Sequence, residues 1–261
     1  MTVRELFAMI DDLAPFDTQA DFDNAGLLLG DPAQTVRGIH VALDVTDGVL
    51  DEAESVGANV LVTHHPLMFA PRRRLTEEDY EARLLCRMIR GHMALIAAHT
   101  NLDSAPGGIN DVLAAVCGLR GVTCEGYLRI GTLPGGETVG TLIPRLEAAL
   151  HTTVRVMGQL PPEQTLRRMV VSSGAGSDSW EEAVRLGADV FLTGEMKHHH
   201  ALALSGAGVL GLECGHFSTE EPGIFALADA LQKQLNAVQY EGCVSKSHQG
   251  GYAGRYGADR R

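Results

Sequence analysis

Long hydrophobic runs are missing from this sequence. No apolar stretch approaches the roughly 20 residues that a membrane-spanning helix needs. The first residues carry charges at Arg4, Glu5, Asp11 and Asp12, where a secretory signal would be apolar. We therefore predict a cytoplasmic protein without a membrane partner.

Paired cysteines and an excess of positive charge are also lacking. The cysteines, at positions 86, 117, 124, 214 and 243, are odd in number, so we expect reduced core residues rather than a disulfide framework. The formal net charge of −12 repels phosphate backbones, which disfavours general nucleic-acid binding. Small molecules and metal ions are more compatible partners.

The residues that are present indicate an α/β protein. The chain of 261 residues is 45% hydrophobic and contains 30 glycines, as the short turns between alternating strands and helices require. Apolar strands are predicted at residues 58 to 63, ending at His64, His65 and Pro66, and at residues 94 to 98, ending at His99. Ligands bind at the carboxyl ends of strands in open α/β sheets, so these histidines mark a candidate site.

An internal repeat predicts two similar halves. The spaced pattern Glu-Ala-x3-Gly-Ala-x-Val-x2-Thr begins at positions 52 and 182, an offset of 130 residues. A histidine followed four residues later by an acid also recurs, as His99 with Asp103 and His216 with Glu220, each on a predicted polar loop. Chance similarity of common residues is the alternative. Duplication predicts two α/β lobes related by an internal pseudo-repeat, with a metal site between them.

The repeat also sets the expected domain organisation. Residues 1 to 125 and 171 to 240 are predicted to form the metal-binding α/β body together, as N-terminal and C-terminal pseudo-repeats. Residues 126 to 170 are predicted to be a small central α/β segment without visible chemistry. Residues 241 to 261 are predicted to be a flexible tail, because they are rich in Gly, Ser and Arg.

Histidines and acids of the repeat form a candidate metal site, which consists of His64, His65, Asp103, His216 and Glu220. Nitrogen and oxygen ligands suit zinc, iron, manganese, cobalt or nickel, and this set exceeds the needs of one tetrahedral ion. We therefore expect two divalent ions per chain. The alternative for each histidine is an ordinary hydrogen-bonding role. Adjacent strand residues also share a face only if the chain bends, as the following proline suggests.

Other histidines and acids could hold the ligands in place without binding an ion themselves. His99, Glu195 and His199 are the candidates. Residues 198 to 200 are all histidines, but neighbours on a helix diverge by about 100°, so the three cannot share one ion. One of them could line the site while the others lie on the surface.

The densest basic run lies shortly after the first histidine pair. Arg72, Arg73 and Arg74, together with Lys197, are candidates for binding a substrate phosphate. A solvated loop is the alternative for the arginines. Nucleophilic catalysis by Cys214 is disfavoured, because the metal site already claims the base and acid that it would need.

Several ordered motifs together resemble the GTP cyclohydrolase 1 type 2 homologues, also called Nif-three-like proteins, over nearly all of residues 1 to 240. The motifs are Asp23-Asn24-x-Gly26-Leu27, Thr63-His64-His65-Pro66-Leu67, Ala98-His99-Thr100-Asn101-Leu102-Asp103, Gly107-Gly108-x-Asn110-Asp111, Thr193-Gly194-Glu195 and Gly215-His216-x-x-Thr219-Glu220. The chain departs from the family at Phe22, where a tryptophan is expected, and it lacks the long central insertion of some members.

The resemblance implies a fold, a site and an activity. It implies two interlinked α/β lobes around a dinuclear metal centre with the same five ligands, Glu220 as the bridge, and a hexameric ring of identical chains. The implied function is a hydrolase, GTP cyclohydrolase-like or phosphoesterase-like, in which metal-activated water attacks a nucleotide or related small molecule. The alternatives are a non-catalytic metal-binding scaffold or metal-handling protein and, with less support, a regulator that binds partners through the ring surface.

Overall fold

Two compact units make up the fold in a computed structural model of the chain, which describes residues 1 to 240, 242 and 244 to 247. The first unit contains Met1–Gly108 and the described residues from Ile224 onward, and the second unit is Ile109–Gly223. The boundary at Gly223 falls inside a long C-terminal helix. Each unit contains its own sheet.

Helices and strands alternate along most of the chain. The elements up to Ser104 are α1 (Val3–Leu13), a 3-10 turn (Phe16–Thr18), β1 (Gly26–Leu29), β2 (Ile39–Ala42), α2 (Asp47–Ser55), β3 (Val60–Thr63), α3 (Tyr80–Arg90), β4 (Ala94–Ala97) and α4 (Thr100–Ser104). The remaining elements are α5 (Ile109–Val116), β5 (Arg120–Glu125), β6 (Leu128–Thr132), α6 (Val139–Leu150), β7 (Arg155–Met157), β8 (Arg168–Ser172), a 3-10 turn (Gly176–Ser179), α7 (Trp180–Arg185), β9 (Val190–Thr193), α8 (His198–Gly206), β10 (Leu210–Glu213), α9 (His216–Ala237) and β11 (Val244–Lys246).

The sheet of the first unit has the strand order β1-β4-β3-β2-β11. Neighbouring strands from β4 to β11 run parallel, and β1 joins the edge antiparallel to β4. Every residue of β2, β3 and β4 is buried, as the continuous apolar pattern predicts for interior strands covered on both faces. Leu61 of β3 shares a core with Leu50 of α2 and Leu84 of α3.

The sheet of the second unit has the strand order β5-β6-β8-β9-β10-β7. Strands β8, β9 and β10 run parallel, while β5, β6 and β7 are antiparallel to their neighbours. Leu142 and Leu146 of α6 pack with Leu192 of β9 in one buried core. Both units therefore combine a mixed sheet with helices, and the predicted α/β fold is confirmed.

Matching strand registers support the predicted internal repeat. Ile39 of β2 pairs with Val60 of β3, and Met169 of β8 pairs with Val190 of β9, which preserves the offset of 130 residues. The turns before β3 and β9 also agree, because Gly57 has φ 71° and Gly187 has φ 68°. In both turns the residue after the glycine donates its amide N–H to the carbonyl oxygen five residues earlier. The two halves thus share a βαβ unit down to the turn conformation.

Residues 126 to 170 do not form the separate segment that the sequence predicts. In the structure β6 pairs with β8, and β7 pairs with β10, so both strands belong to the sheet of the second unit. The division into units consequently differs from the predicted one. The sequence indicated strands in this segment, but it does not show which distant strands they pair with.

The predicted flexible tail is also corrected in part. Val244–Lys246 forms β11, which pairs in parallel with β2. The hydroxyl of Ser245 lies 2.8 Å from Nδ1 of the buried His40, and this contact helps to hold the short strand against the sheet. Glu241, Cys243 and residues 248 to 261 lie outside the described residues. None of the helices formed by the described residues is both long and apolar enough to cross a membrane.

The two repeat glycines provide a test of the turn conformation. We expect Gly57→Ala and Gly187→Ala each to lower the free energy of unfolding by about 1–2 kcal/mol, because a side chain disfavours positive φ. Neither added methyl group would meet another atom within 4 Å, so a loss would report backbone strain alone. Urea unfolding measures the effect.

Gly206 is the matched control for these substitutions. It lies in α8 with open space around its Cα, and Gly206→Ala should leave stability unchanged or raise it by up to about 1 kcal/mol. Equal effects at all three glycines would contradict the conformational explanation.

Candidate metal centre

Three histidines of the first unit lie together beyond the carboxyl ends of β3 and β4. His64 and His65 follow the last residue of β3, and His99 lies shortly after β4. The ring centroids are 4.9 Å apart for His64 and His65, 5.0 Å for His64 and His99, and 5.5 Å for His65 and His99. One ring nitrogen of each lies within 4.8 Å of the others. The chain therefore bends after β3, as the proline predicts, and turns both neighbouring rings toward one point.

Hydrogen bonds fix the proton position on the His64 and His65 rings. His64 Nδ1 donates to the Ala98 carbonyl oxygen at 2.8 Å, and His65 Nδ1 donates to Asp44 Oδ1 at 2.8 Å. Carbonyl and carboxylate oxygens only accept, so we infer that Nδ1 carries the proton of each neutral ring and Nε2 carries the lone pair. Metal-binding histidines share this arrangement, in which the second ring nitrogen is held by a carbonyl or carboxylate.

Asp23 holds the third ring of this cluster in the same manner. Its Oδ1 accepts a hydrogen bond from His99 Nδ1 at 2.8 Å, and its other oxygen accepts from the backbone and hydroxyl of Thr100. Burial would raise the pKa of this carboxyl, but the hydrogen bonds from His99 and Thr100 outweigh burial and hold the pKa below its usual range. Asp23 is therefore ionised at neutral pH and orients the His99 ring.

Asp103 lies on a short helix and not on the predicted polar loop. The Asp103 amide donates to the His99 carbonyl at 3.0 Å, which places both residues on successive turns of α4 and its N-terminal cap. Asp103 Oδ1 lies 3.6 Å from Nε2 of the fully buried His64. The prediction of a loop was wrong because a helix of five residues is too short to show helical periodicity. Asp103 thus adds a carboxylate oxygen to the histidine cluster, close to Nε2 of His64.

His216 and Glu220 form a second group of donors, which lies in the second unit. They occupy the first turns of α9, four residues apart, so their side chains share one face of the helix. His216 Nε2 lies 3.1 Å from Glu220 Oε2, and His216 Nδ1 donates to Glu195 Oε1 at 2.8 Å. The predicted loop was wrong here too, because Pro222 inside α9 disfavours a helix in sequence. Glu195 therefore holds the His216 ring through Nδ1.

Two glycines make room for this second group. A Cβ added at Gly174, which has φ 53°, would lie 2.1 Å from Glu220 Oε1 and 3.1 Å from His216 Nε2. A Cβ added at Gly194 would lie 2.8 Å from the Cα atom of His216. The backbone after β8 and β9 thus approaches the histidine and glutamate more closely than any side chain would allow.

Sequence reasoning missed the roles of Asp44, Asp23 and Gly174. Asp44 follows β2, so its position beyond a third parallel strand could have marked it as part of the same edge. Gly174 stands 130 residues after Asp44 and could have been found by extending the repeat. Asp23 belonged to a quoted motif, but its contact with His99 spans 76 residues of sequence.

The remaining predicted site residues are partly engaged elsewhere. His199 is exposed, and its ring lies 4.2 Å from that of His200, which is buried and bonds the Ser177 hydroxyl. Lys197 Nζ forms an ion pair with Asp178 at 2.6 Å. The histidine run and Lys197 are therefore tied to the 3-10 turn before α7.

Arg72, Arg73 and Arg74 differ in what they contact. Arg72 forms ion pairs with Asp79 and Glu81, whereas no carboxylate among the described residues pairs with the exposed Arg73 and Arg74. The three arginines line a cleft of about 360 Å³ together with residues 69 to 71 and Glu81. Arg73 and Arg74 are thus the better placed candidates for an anionic ligand.

Cys214 is fully buried in the hydrophobic core of the second unit. Burial raises the pKa of its thiol above the ordinary value, so the reactive thiolate is disfavoured at neutral pH. This agrees with the expectation that Cys214 is not a nucleophile.

Comparison with known proteins places the chain in a family. The sequence model of Duf34/NIF3 (NGG1p interacting factor 3) matches residues 1–250. The chain belongs to this family. A Duf34/NIF3 relative from Clostridium perfringens, named GTP cyclohydrolase 1 type 2 homolog, is 30% identical over 256 residues, covering 94% of this chain and 97% of that protein. The resemblance drawn from the motifs is confirmed.

Solved structures show the same fold. Staphylococcus aureus protein SA1388 superposes with a TM-score of 0.87 at 26% identity, covering 97% of this chain and 98% of that chain. Reduced HcgD from Methanocaldococcus jannaschii superposes with a TM-score of 0.80 at 26% identity, covering 94% of this chain and 97% of that chain. The Duf34/NIF3 fold therefore extends over nearly the whole chain.

Asp44 and Glu195 allow a test of whether the contacts at Nδ1 orient the His65 and His216 rings for a metal ion. We expect Asp44→Ala and Glu195→Ala each to weaken metal binding on the order of ten- to a hundredfold, because the imidazole they hold loses its orientation and basicity. Competition with a chromophoric chelator on metal-stripped protein measures the affinity. Asp178→Ala removes an exposed carboxylate that pairs with Lys197 and should leave the affinity unchanged. Unaltered affinity in the first two variants would contradict the orienting role.

Proposed function

We propose that this protein is a divalent-metal-dependent hydrolase with a dinuclear centre, acting on a nucleotide or a related small molecule. One observation carries the proposal: the Nδ1 atom of each of His64, His65, His99 and His216 bonds a carbonyl or carboxylate oxygen. Nε2 is therefore the ring nitrogen that carries the lone pair, the atom through which an imidazole binds a cation. A histidine with an ordinary structural role can be held at either ring nitrogen, whereas all four of these rings are held at Nδ1.

The donors present fit first-row divalent ions. In the proposal the ions would be held by His64, His65 and Asp103 of the first unit and by His216 and Glu220 of the second, and Glu220 would be the carboxylate that they share. All five donors are nitrogen or oxygen, which suits zinc, iron, manganese, cobalt or nickel. Bound ions would activate water at neutral pH and offset negative charge on the attacked group.

Other side chains prepare the site. Asp44 and Glu195 hold two of the ligand rings, and ionised Asp23 holds His99. The side chains of His64 and Glu220 are almost completely buried, so they are already removed from water before a cation binds. This preorganisation lowers the cost of assembling the site.

The proposed substrate class follows from charge and from the relatives. Arg73 and Arg74 are exposed cations on a chain with a net charge of −12, and arginine forks match phosphate oxygens. Several relatives are named GTP cyclohydrolase 1 type 2 homolog, which favours a nucleotide. Opening of a purine ring and cleavage of a phosphoester are both compatible with this donor set.

The proposal also covers the location, the oligomeric state and the partners of the enzyme. We propose a cytoplasmic homo-oligomer, a hexameric ring by family resemblance, with a small-molecule substrate and without general nucleic-acid binding or membrane partners. The acidic charge balance supports the exclusion of nucleic acids. Light scattering on the purified protein would measure the mass of the assembly.

Metal content tests the proposed ligands. Elemental analysis of purified, untagged protein should find about two ions per chain, and His65→Ala and Glu220→Ala should lose most of this metal. His198→Ala is the matched control, because this exposed histidine is neither a proposed ligand nor a proposed support for one. His99→Ala should weaken binding on the order of ten- to a hundredfold if His99 only supports the ligands. Complete loss in that variant would make His99 a ligand.

Activity tests the hydrolase itself. Protein reconstituted with metal should hydrolyse at least one member of a nucleotide and phosphoester panel, and chelation or His65→Ala should abolish this turnover. Protein that holds two ions and hydrolyses nothing would contradict the proposal and favour a metal-handling role. Absence of metal after reconstitution would contradict both and favour a partner-binding regulator.

A further inference from the structure

Two phenylalanines lie side by side on the surface of the first unit. Aromatic residues make up only 5% of the chain, yet Phe22 is 67% exposed and Phe69 is 51% exposed. Their ring centroids are 6.3 Å apart with planes inclined by 34°. Single exposed apolar side chains are common, but two adjacent rings from separate loops form a continuous aromatic surface.

Hydrogen bonds anchor the backbone beside both rings. Asn24 Nδ2 donates to the Met68 carbonyl oxygen at 2.5 Å, which joins the loop that carries Phe22 to the loop that carries Phe69. Asp23, the neighbour of Phe22, is held by His99 and Thr100. Phe22 is therefore next to the carboxylate that orients the His99 ring, and its loop is joined to the loop of Phe69.

Phe69 links the aromatic pair to both the histidines and the basic cleft. The Phe69 ring is 6.0 Å from the His99 ring, and the two planes are inclined by 80°. Phe69 also lines the cleft of about 360 Å³ that contains Arg73 and Arg74, a volume within the range of small-molecule sites. Glu81 lines the same cleft, but its ion pair with Arg72 offsets its negative charge.

We propose that Phe22 and Phe69 form a stacking platform for the base of a mononucleotide, whose phosphates bind Arg73 and Arg74. This proposal rests on the proposed function, since it names the part of the protein that binds the substrate. A base stacked on Phe69 lies beside His99, and the phosphates extend away from the histidines into the basic cleft. Aromatic rings can stack on any nucleobase, and the arginine guanidinium groups bind the phosphate oxygens.

A set of small probes separates the two halves of the proposed subsite. Guanosine 5′-triphosphate contains base and phosphates, guanosine lacks the phosphates, and ribose 5-phosphate lacks the base. Binding is measured by calorimetry on metal-stripped protein and again on zinc-loaded protein. This design keeps binding separate from catalysis.

Substitutions then test each contact. Phe69→Ala and Phe22→Ala should weaken guanosine triphosphate binding on the order of ten- to a hundredfold and leave ribose 5-phosphate binding unchanged. Phe69→Tyr keeps an aromatic face and should bind as the wild type does. Arg73→Ala and Arg74→Ala should weaken triphosphate binding without altering guanosine binding.

Leu202→Ala is the matched control, since this side chain is 62% exposed on α8 of the second unit. It should bind the triphosphate as the wild type does. Thermal unfolding of each variant confirms that the surface substitutions leave the fold intact.

The outcomes distinguish this proposal from the proposed hydrolase. Weaker nucleotide binding in the phenylalanine variants supports the platform even if the metal-loaded wild type hydrolyses nothing. Hydrolysis with an unchanged KM in Phe69→Ala and Phe22→Ala would overturn the platform and leave the hydrolase intact. The platform is also overturned if neither form of the wild type binds the triphosphate, or if the phenylalanine variants bind it normally.

Discussion

The proton position on the histidine rings is the constraint on which the candidate metal centre depends. A neutral imidazole can present only one basic nitrogen, and the contacts at Nδ1 determine which one it presents. In this protein a backbone carbonyl holds His64, while carboxylates hold His65, His99 and His216. Cation binding therefore needs neither a tautomer change nor a ring rotation at these residues.

The parallel sheets explain why these contacts can form. Strands β2, β3 and β4 are parallel neighbours, so Asp44, His65 and His99 all leave the sheet at the same edge. The buried strands fix the spacing of their ends, because their registers are set by hydrogen bonds along their length. Short loops then bring side chains from distant parts of the sequence within hydrogen-bonding distance.

The sequence predicted features that depend on local pattern. Buried strands ending at His64 and His99 follow from continuous aliphatic runs, and the repeat follows from spaced identities between the halves. Contacts between distant residues left no such pattern: His65 and Asp44 are 21 residues apart, and His99 and Asp23 are 76 apart. The helical setting of Asp103 and Glu220 was missed because α4 is short and α9 contains a proline.

The close approach at Gly174 has a consequence for the history of the chain. Duplication predicts a residue equivalent to Asp44 at this position, but a side chain here would overlap the Glu220 carboxylate. The first half needs the Asp44 carboxylate to hold His65. At the equivalent position the second half needs a glycine, which leaves room for the Glu220 carboxylate. Recombination that copied one half over the other would therefore destroy either an imidazole contact or a carboxylate position. Asp44 and Gly174 are therefore not interchangeable, although the repeat makes their positions equivalent.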